Sequence, residues 1–74
     1  MGWLKVLEGN DEEKFFWHPD VPEEVRQARE KFLDYQRQGF LACKIMGQGA
    51  AGVQISEFDV QAEEIFMLGI VDGG

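Results

Sequence analysis

Two segments near the start of the chain have the pattern of β-strands. Residues 3–7 alternate about Lys5, and residues 14–18 are mostly aromatic. β-prone and aromatic residues at such positions are typical of strands. The polar run 9–13 between them contains Gly9 and Asn10, which favour turns. The pattern therefore predicts a hairpin of two strands.

The middle of the chain predicts one amphipathic helix. Asp20 is a suitable N-cap, and Glu23 three residues later completes a capping-box pattern. Arg26 and Glu30 stand at pairing distance on the helix surface. Gly39 is expected to end the helix as a left-handed C-cap. Apolar or aromatic residues recur at spacings of four and three, which makes one stripe: Val21, Val25, Ala28, Phe32 and Tyr35.

Two further strands are predicted after the helix, over residues 40–46 and 53–58. Residues 59–64 then connect to the end of the chain. Side chains alternate between the two faces of a strand, so each strand should turn one set of residues toward the helix. The residues expected to face inward are Leu41, Cys43 and Ile45 in the first strand, and Val53 and Ile55 in the second.

The run Ile65–Val71 is almost continuously apolar and does not alternate. Such a run is typical of a strand covered on both faces, so we expect it to lie at the centre of the sheet. The predicted fold class is α+β, with element order β-β-α-β-β-β and one helix packed on a mixed sheet whose C-terminal strand is central. This is a β-grasp arrangement. We expect residues 1–71 to form a single domain and residues 72–74 to form a flexible diglycine tail.

Size and charge exclude several classes of function. The 74 residues suffice for one domain, and a single cysteine excludes an intramolecular disulfide, which fits a reducing compartment. No secretory signal is recognisable, so a cytoplasmic location without membrane association is expected. The net charge of −7, from 14 acidic and 7 basic residues, argues against a nucleic-acid partner.

Three motifs have simpler structural explanations than the chemistry they suggest. Residues 47–52 spell G-x-G-x-x-G, but a strand follows where a dinucleotide site needs a helix, so a hairpin loop is the better interpretation. The tripeptide His18-Pro19-Asp20 resembles a motif of the co-chaperone J-domains. In that family a basic helix precedes the tripeptide, whereas here an acidic, strand-like segment precedes it. His18 and Cys43 are each the sole residue of their kind, which leaves too few groups for a metal cluster or a Cys/His nucleophile pair. We therefore expect neither a catalytic residue nor a metal site, and the chain is predicted not to be an enzyme.

The last dozen residues carry the most specific signal. An acidic pair, Glu63-Glu64, leads into the apolar run, and Gly73-Gly74 follow it directly. This ending resembles that of the ubiquitin-like β-grasp carriers, especially the sulfur carriers of the MoaD and ThiS type and bacterial ubiquitin-like proteins. The remainder of the chain agrees with that family in predicted element order.

The resemblance implies a function for the tail. An E1-like partner would use ATP to adenylate the carboxylate of Gly74, while Gly73 and Gly74 pass through a narrow channel. The product would be a thiocarboxylate that donates sulfur to an acceptor, or a thioester leading to an amide on a target protein. An E2-like enzyme or a JAB-type protease could also take part. ATP would be the partner's ligand, and this chain would bind no cofactor. The residues expected to dock the partner are Lys5, Phe58 and Met67.

Two other functions remain open from the sequence. One is a non-covalent β-grasp module for protein interaction or assembly, which would not need Gly73 and Gly74. The other is a small enzyme or ligand-binding protein, which a stabilising ligand would reveal.

Overall fold

The computed structural model describes residues 1–45 and 52–69. Most of the glycine-rich loop and the segment 70–74 lie outside the described residues. The helix and strands follow one another as β1 (Gly2–Glu8), β2 (Asp11–Trp17), α1 (Pro22–Arg37), β3 (Leu41–Ile45), β4 (Val53–Ile55) and β5 (Glu64–Leu68).

The five strands form one mixed sheet in the order β2-β1-β5-β3-β4. β1 is antiparallel to β2 and parallel to β5, and β3 is antiparallel to both β5 and β4. β5 therefore lies between β1 and β3. The prediction of a small α+β fold with one helix packed on a mixed five-stranded sheet is confirmed.

The hydrophobic core lies between α1 and one face of the sheet. The indole of Trp17 is fully buried there, and its Nε1 donates a hydrogen bond of 3.0 Å to the carbonyl oxygen of Val60. A Cβ on Gly2, which pairs with Trp17 across the hairpin, would overlap the indole ring. The fully enclosed side chains are Leu4, Trp17, Phe32, Ile65 and Met67. Ala28 and Phe32 of the predicted stripe are buried, whereas Val21 is exposed.

The C-terminus of α1 is as predicted. Gly39 adopts a φ of 98°, in the left-handed region that glycine enters without a steric penalty. The N–H of Gly39 bonds to the carbonyl of Gln36 at 3.0 Å, and that of Phe40 to the carbonyl of Tyr35 at 3.1 Å. These two bonds make a Schellman motif. Its usual hydrophobic contact is present too, because the rings of Tyr35 and Phe40 lie 5.0 Å apart.

The start of α1 differs from the prediction. Val21 occupies the N-cap position and makes no capping bond with its side chain, so the assignment of Asp20 as N-cap was wrong. Glu24, in the first turn, reaches back instead. Its Oε1 accepts a hydrogen bond of 2.8 Å from the N–H of His18 and lies 2.7 Å from the ring Nδ1. The expected surface pair does form, with Arg26 donating to Glu30 at 2.6 Å.

The hairpin is tighter than predicted. Only Gly9 and Asn10 form the turn, and Glu8 pairs directly with Asp11. Gly9 has a φ of 59°, which suits the first central position of a two-residue type II′ turn. The acidic residues 11–13 therefore belong to β2. A polar composition suggested a loop, but these residues are exposed and need no apolar surroundings.

The face of β3 that packs against α1 is the opposite of the predicted one. Ala42 is buried and pairs with buried Met67, so it is Cys43 and its alternate neighbours Leu41 and Ile45 that face away from α1. The Schellman turn explains the difference, because it returns Phe40 beneath the helix and so fixes which alternate residues point inward. On β4, Ile55 packs against the core as predicted, whereas Val53 is exposed.

β5 is central in the sheet, but it is covered on one face only. Ile65 and Met67 are fully buried beneath α1, while Phe66 is half-buried and Leu68 is 39% exposed on the other face. The continuous apolar run therefore did not indicate burial on both faces. It supplies a core on one side and an exposed apolar surface on the other.

Candidate functional site

Gly69 is the last residue that the structure describes, and its backbone is held in place by β1. Its N–H donates a hydrogen bond of 3.0 Å to the carbonyl of Leu7 on β1. A Cβ at Gly69 would lie 3.0 Å from Cε2 of Phe40 and 3.3 Å from the oxygen of Leu7, so the backbone fits closely between β1 and the start of β3. The segment 70–74, including the predicted Gly73 and Gly74, lies outside the described residues.

The residues that precede β5 are also held in place by hydrogen bonds. Lys44 donates a hydrogen bond of 2.6 Å to Oδ2 of Asp59, and Oδ1 of Asp59 accepts the N–H of Gln61 at 2.9 Å. Both bonds favour the carboxylate over the neutral acid, so they lower the pKa of Asp59. The carbonyl of Glu63 then accepts the N–H of Trp3 at 3.1 Å. β5 is thus fixed at both ends before the chain reaches Ile70.

The three predicted docking residues do not share one surface. Lys5 lies on the sheet face opposite α1, where its Nζ is 5.4 Å from the ring centroid of Phe66 and 3.2 Å from Glu12. Met67 is fully buried under the helix, which corrects its predicted position on a docking surface. Phe58 packs against the core, with its ring centroid 5.0 Å from that of Trp17. Only Lys5 occupies the exposed sheet face.

The exposed sheet face carries the residues that sequence reasoning missed. Trp3 and Phe16 are paired across β1 and β2 with ring centroids 4.4 Å apart, and Phe16 is 50% exposed. We define the open face by the apolar side chains opposite α1, namely Trp3, Leu7, Phe16, Leu41, Cys43, Ile45, Phe66 and Leu68. The sequence signal was present, because the last run had more apolar residues than a single core face needs. The exposed face was not predicted because both faces of that strand were assumed to be covered.

Several titratable groups of the described residues hold neighbouring parts of the fold together. Burial and a 3.0 Å hydrogen bond to Glu13 raise the pKa of Tyr35, which ties α1 to β2. The bonds from His18 lower the pKa of Glu24 and hold the start of α1. Over residues 1–45 and 52–69, no group of three histidine, cysteine or acidic side chains is placed to hold a metal ion.

The comparisons with known proteins add no assignment. No family model, no curated protein and no solved structure matches the chain. Within the described part of the chain, no helix combines the length and apolar character needed to cross a membrane.

Proposed function

We propose that this chain is a ubiquitin-like carrier with the β-grasp fold, acting through the carboxylate of Gly74. The observation that carries the proposal is the position of β5. It is the central strand, parallel to β1, and it leads at Gly69 directly into the segment that ends in Gly73-Gly74. In the sequence, a strand at the centre of the sheet is thus followed within a few residues by two residues that have no side chains.

The chemistry of the proposal begins with activation of a carboxylate. An oxygen of the Gly74 carboxylate attacks the α-phosphorus of ATP on an E1-like partner, and pyrophosphate leaves. Sulfide or a cysteine thiolate then attacks the carbonyl carbon of the acyl-adenylate, and AMP leaves. The product is a thiocarboxylate or a thioester, and a lysine amine on a target protein can displace the thiol to form an amide. The carboxylate is the same group whether Gly74 ends the translated chain or is released by a JAB-type protease.

The absence of side chains at Gly73 and Gly74 is the second support. The partner must enclose the carboxylate and the nucleotide together, and a bare backbone passes where a Cβ would clash. The sequence has an acidic net charge of −7 and contains no G-x-x-x-x-G-K-[ST] motif, which fits a protein that is itself the substrate, with ATP bound by the partner.

Intact-mass measurement tests this function. The protein is incubated with ATP and the E1-like enzymes of its own genome, with and without sulfide. A mass increase that maps to Gly74 is expected. The thiocarboxylate, which replaces one oxygen by sulfur, would identify sulfur transfer, and an enzyme-linked adduct would identify conjugation.

Two variants control that experiment. Deletion of Gly73 and Gly74 should abolish the mass increase without lowering the stability of the fold, because β5 ends at Leu68. Asp72→Ala leaves both glycines in place and should still be modified. Equal modification of the deletion variant, or none of the full chain with any candidate enzyme, would contradict the carrier function.

The open face supports a second candidate, a non-covalent β-grasp interaction module. Monomeric proteins seldom leave large contiguous apolar patches exposed, and such patches often mark binding surfaces. Under this alternative the deletion variant would keep its partner and its function, whereas Phe66→Glu at the centre of the open face would lose both.

A further inference from the structure

The open face has two unlike halves on either side of β5. On the side of β1 and β2 lie the rings of Trp3 and Phe16, whose centroids are 4.4 Å apart, and Phe16 is 50% exposed. On the side of β3 the side chains are smaller, namely Leu41, Cys43 and Ile45. One half of the face therefore projects large aromatic rings, and the other half leaves more room above the sheet.

The strands on either side of β5 are in step with each other. β1 and β3 both pair with β5, and their outward residues stand level in three pairs: Trp3 and Ile45, Lys5 and Cys43, and Leu7 and Leu41. A two-fold axis along β5 would therefore place each residue of a pair over the other residue in a second copy. The larger side chains would then lie over the smaller ones, while Phe66 and Leu68 would meet their own counterparts.

The open face carries no net charge, although the chain carries −7. Its charged side chains are two lysines and two glutamates, namely Lys5, Lys14, Glu12 and Glu64. The whole net charge thus belongs to the rest of the chain, and two copies can bring their open faces together with their acidic surfaces turned away. The Nζ of Lys5 lies 3.2 Å from Glu12 of the same copy, so the contact would not bury an unpaired ammonium.

The charges also select the direction of the axis. An axis across the strands at the level of Phe66 would place Lys5 over Lys5 of the second copy, and like charges at short distance repel. An axis along β5 places Lys5 over Cys43 instead. This axis brings Glu64 toward its own counterpart at the margin of the face, but aligned sheets cross at about 30°, which separates the ends of the two β5 strands.

The size of the open face indicates a weak contact. Its eight apolar residues occupy four adjacent strands and three levels along them. With strands about 4.8 Å apart and residues about 3.4 Å apart along a strand, the face covers roughly 400 Å². This is about half of the roughly 800 Å² that each partner buries in an interface of standard size.

We propose that the open face binds a second copy of this chain, and that the two sheets pack face to face about a two-fold axis along β5. Trp3 of each copy lies over Ile45 of the other, and Leu7 lies over Leu41. The dimer is reversible, with a Kd on the order of 100 μM, as expected for an interface of this size. It does not depend on activation of Gly74. A partner that docks on the open face must displace the second copy.

Sedimentation equilibrium of the full chain between about 10 μM and about 2 mM measures the association. A monomer–dimer equilibrium is expected. An increase in sodium chloride from about 20 mM to about 300 mM should tighten the dimer severalfold, because salt screens the repulsion between two copies that each carry −7. A dimer that weakens as salt is added would be held by opposite charges and would contradict a neutral apolar contact.

A matched pair of leucines tests which surface is used. Leu68 on the open face is 39% exposed, and Leu33 on the outer side of α1 is 38% exposed. Leu68→Glu should raise the Kd at least about tenfold, because the contact would bury two carboxylates close to the axis. Leu33→Glu adds the same charge to the chain and should leave the Kd within about twofold of the wild-type value.

Mixing two variants tests the two-fold arrangement. Residue 68 of one copy faces residue 68 of the other, so Leu68→Glu and Leu68→Lys should each dimerise poorly alone and should associate when mixed. In a mixture of ¹³C-labelled and unlabelled wild-type protein, filtered NOE spectra should show contacts between the Trp3 ring of one copy and the Ile45 methyl groups of the other. The NOE measurement needs no substitution and therefore does not depend on the folding of the Leu68 variants.

Each of four further results would overturn the proposal. They are a chain that is monomeric at about 2 mM, equal effects of Leu68→Glu and Leu33→Glu, no association in the mixture of the Leu68 variants when both are folded, and intermolecular NOEs that omit Trp3 and Ile45. A dimer formed through α1 or through the edge of the sheet would give the last of these results.

Discussion

Truncation of Phe32 probes the packing of α1 on the sheet. Phe32 is fully buried in the helix stripe, and its ring centroid lies 5.9 Å from that of Phe58. Phe32→Ala removes the ring and leaves a cavity, which costs about 3–5 kcal/mol. A 74-residue domain has a total stability of about 4–11 kcal/mol, so this one change removes a large part of it.

The neighbouring residue supplies a matched control. Leu33 is also apolar and helical, but its side chain is 38% exposed on the outer side of α1. Leu33→Ala should therefore cost less than about 1 kcal/mol, with little cavity formed and the good helix propensity of alanine retained.

Urea unfolding followed by tryptophan fluorescence measures both variants. Trp17 is buried and reports loss of the core. If Phe32→Ala is already partly unfolded without urea, Phe32→Leu keeps part of the packing and should cost about 1–2 kcal/mol. A cost below about 1 kcal/mol for Phe32→Ala, or equal costs at positions 32 and 33, would refute the packing of α1 described above.

Three further predictions concern the sheet and its connections. Gly2→Ala should destabilise the protein by about 1–3 kcal/mol because the new methyl group displaces the Trp17 indole; Gly52→Ala, whose Cβ meets its nearest neighbour at 3.7 Å, should cost almost nothing in the same unfolding assay. Because bonding in the folded state lowers the pKa of Asp59, its stabilising effect is complete above its unfolded pKa of about 4 and is lost as the pH falls through the lower folded value. Asp59→Asn should therefore be less stable than the wild type at pH 7, with a smaller difference at pH 3; a constant difference would refute the charge contact. In hydrogen-exchange measurements, amides of Glu64–Leu68 should be among the slowest, and slow exchange confined to α1 would contradict a central β5.

The helix and the position of the last strand were accessible from the sequence because each has a strong local signal. The apolar stripe and Gly39 specify where α1 packs and ends. The apolar run after Glu64 led to the correct central position of β5 in the sheet, although the burial on both faces from which that position was inferred was wrong. The position and the end of α1 follow from periodicity and from the conformational freedom of glycine, which require no knowledge of distant contacts.

The local sequence does not determine which face of β3 packs against the helix. Both alternating sets of residues in the segment 40–46 are largely apolar, so the pattern does not choose between them. The choice depends on the turn at Gly39 and on pairing with β5. Lys44 is tolerated on the helix side because its ammonium reaches Asp59, 15 residues later in the chain. The composition of the open face likewise depends on the pairing of distant strands, so the local sequence does not predict it.

Part of the candidate site is predicted from the sequence, and part is known only from the structure. The diglycine at positions 73 and 74 is a sequence signal, and its role stays a prediction because it lies outside the described residues. The structure adds Gly69, the last described residue before this segment, whose backbone is held against β1 and the ring of Phe40. Of the expected docking residues it keeps Lys5 on the open face, and it places Met67 in the core.

Exchange of labelled pyrophosphate into ATP tests the proposed function most directly, because formation of the Gly74 adenylate is reversible. With an E1-like enzyme from the same genome, exchange should require this chain and should be lost when Gly73 and Gly74 are deleted. Asp72→Ala should support it. Exchange that persists with the deletion variant, or that is absent with every such enzyme while the full-length chain is folded, would contradict the carrier function.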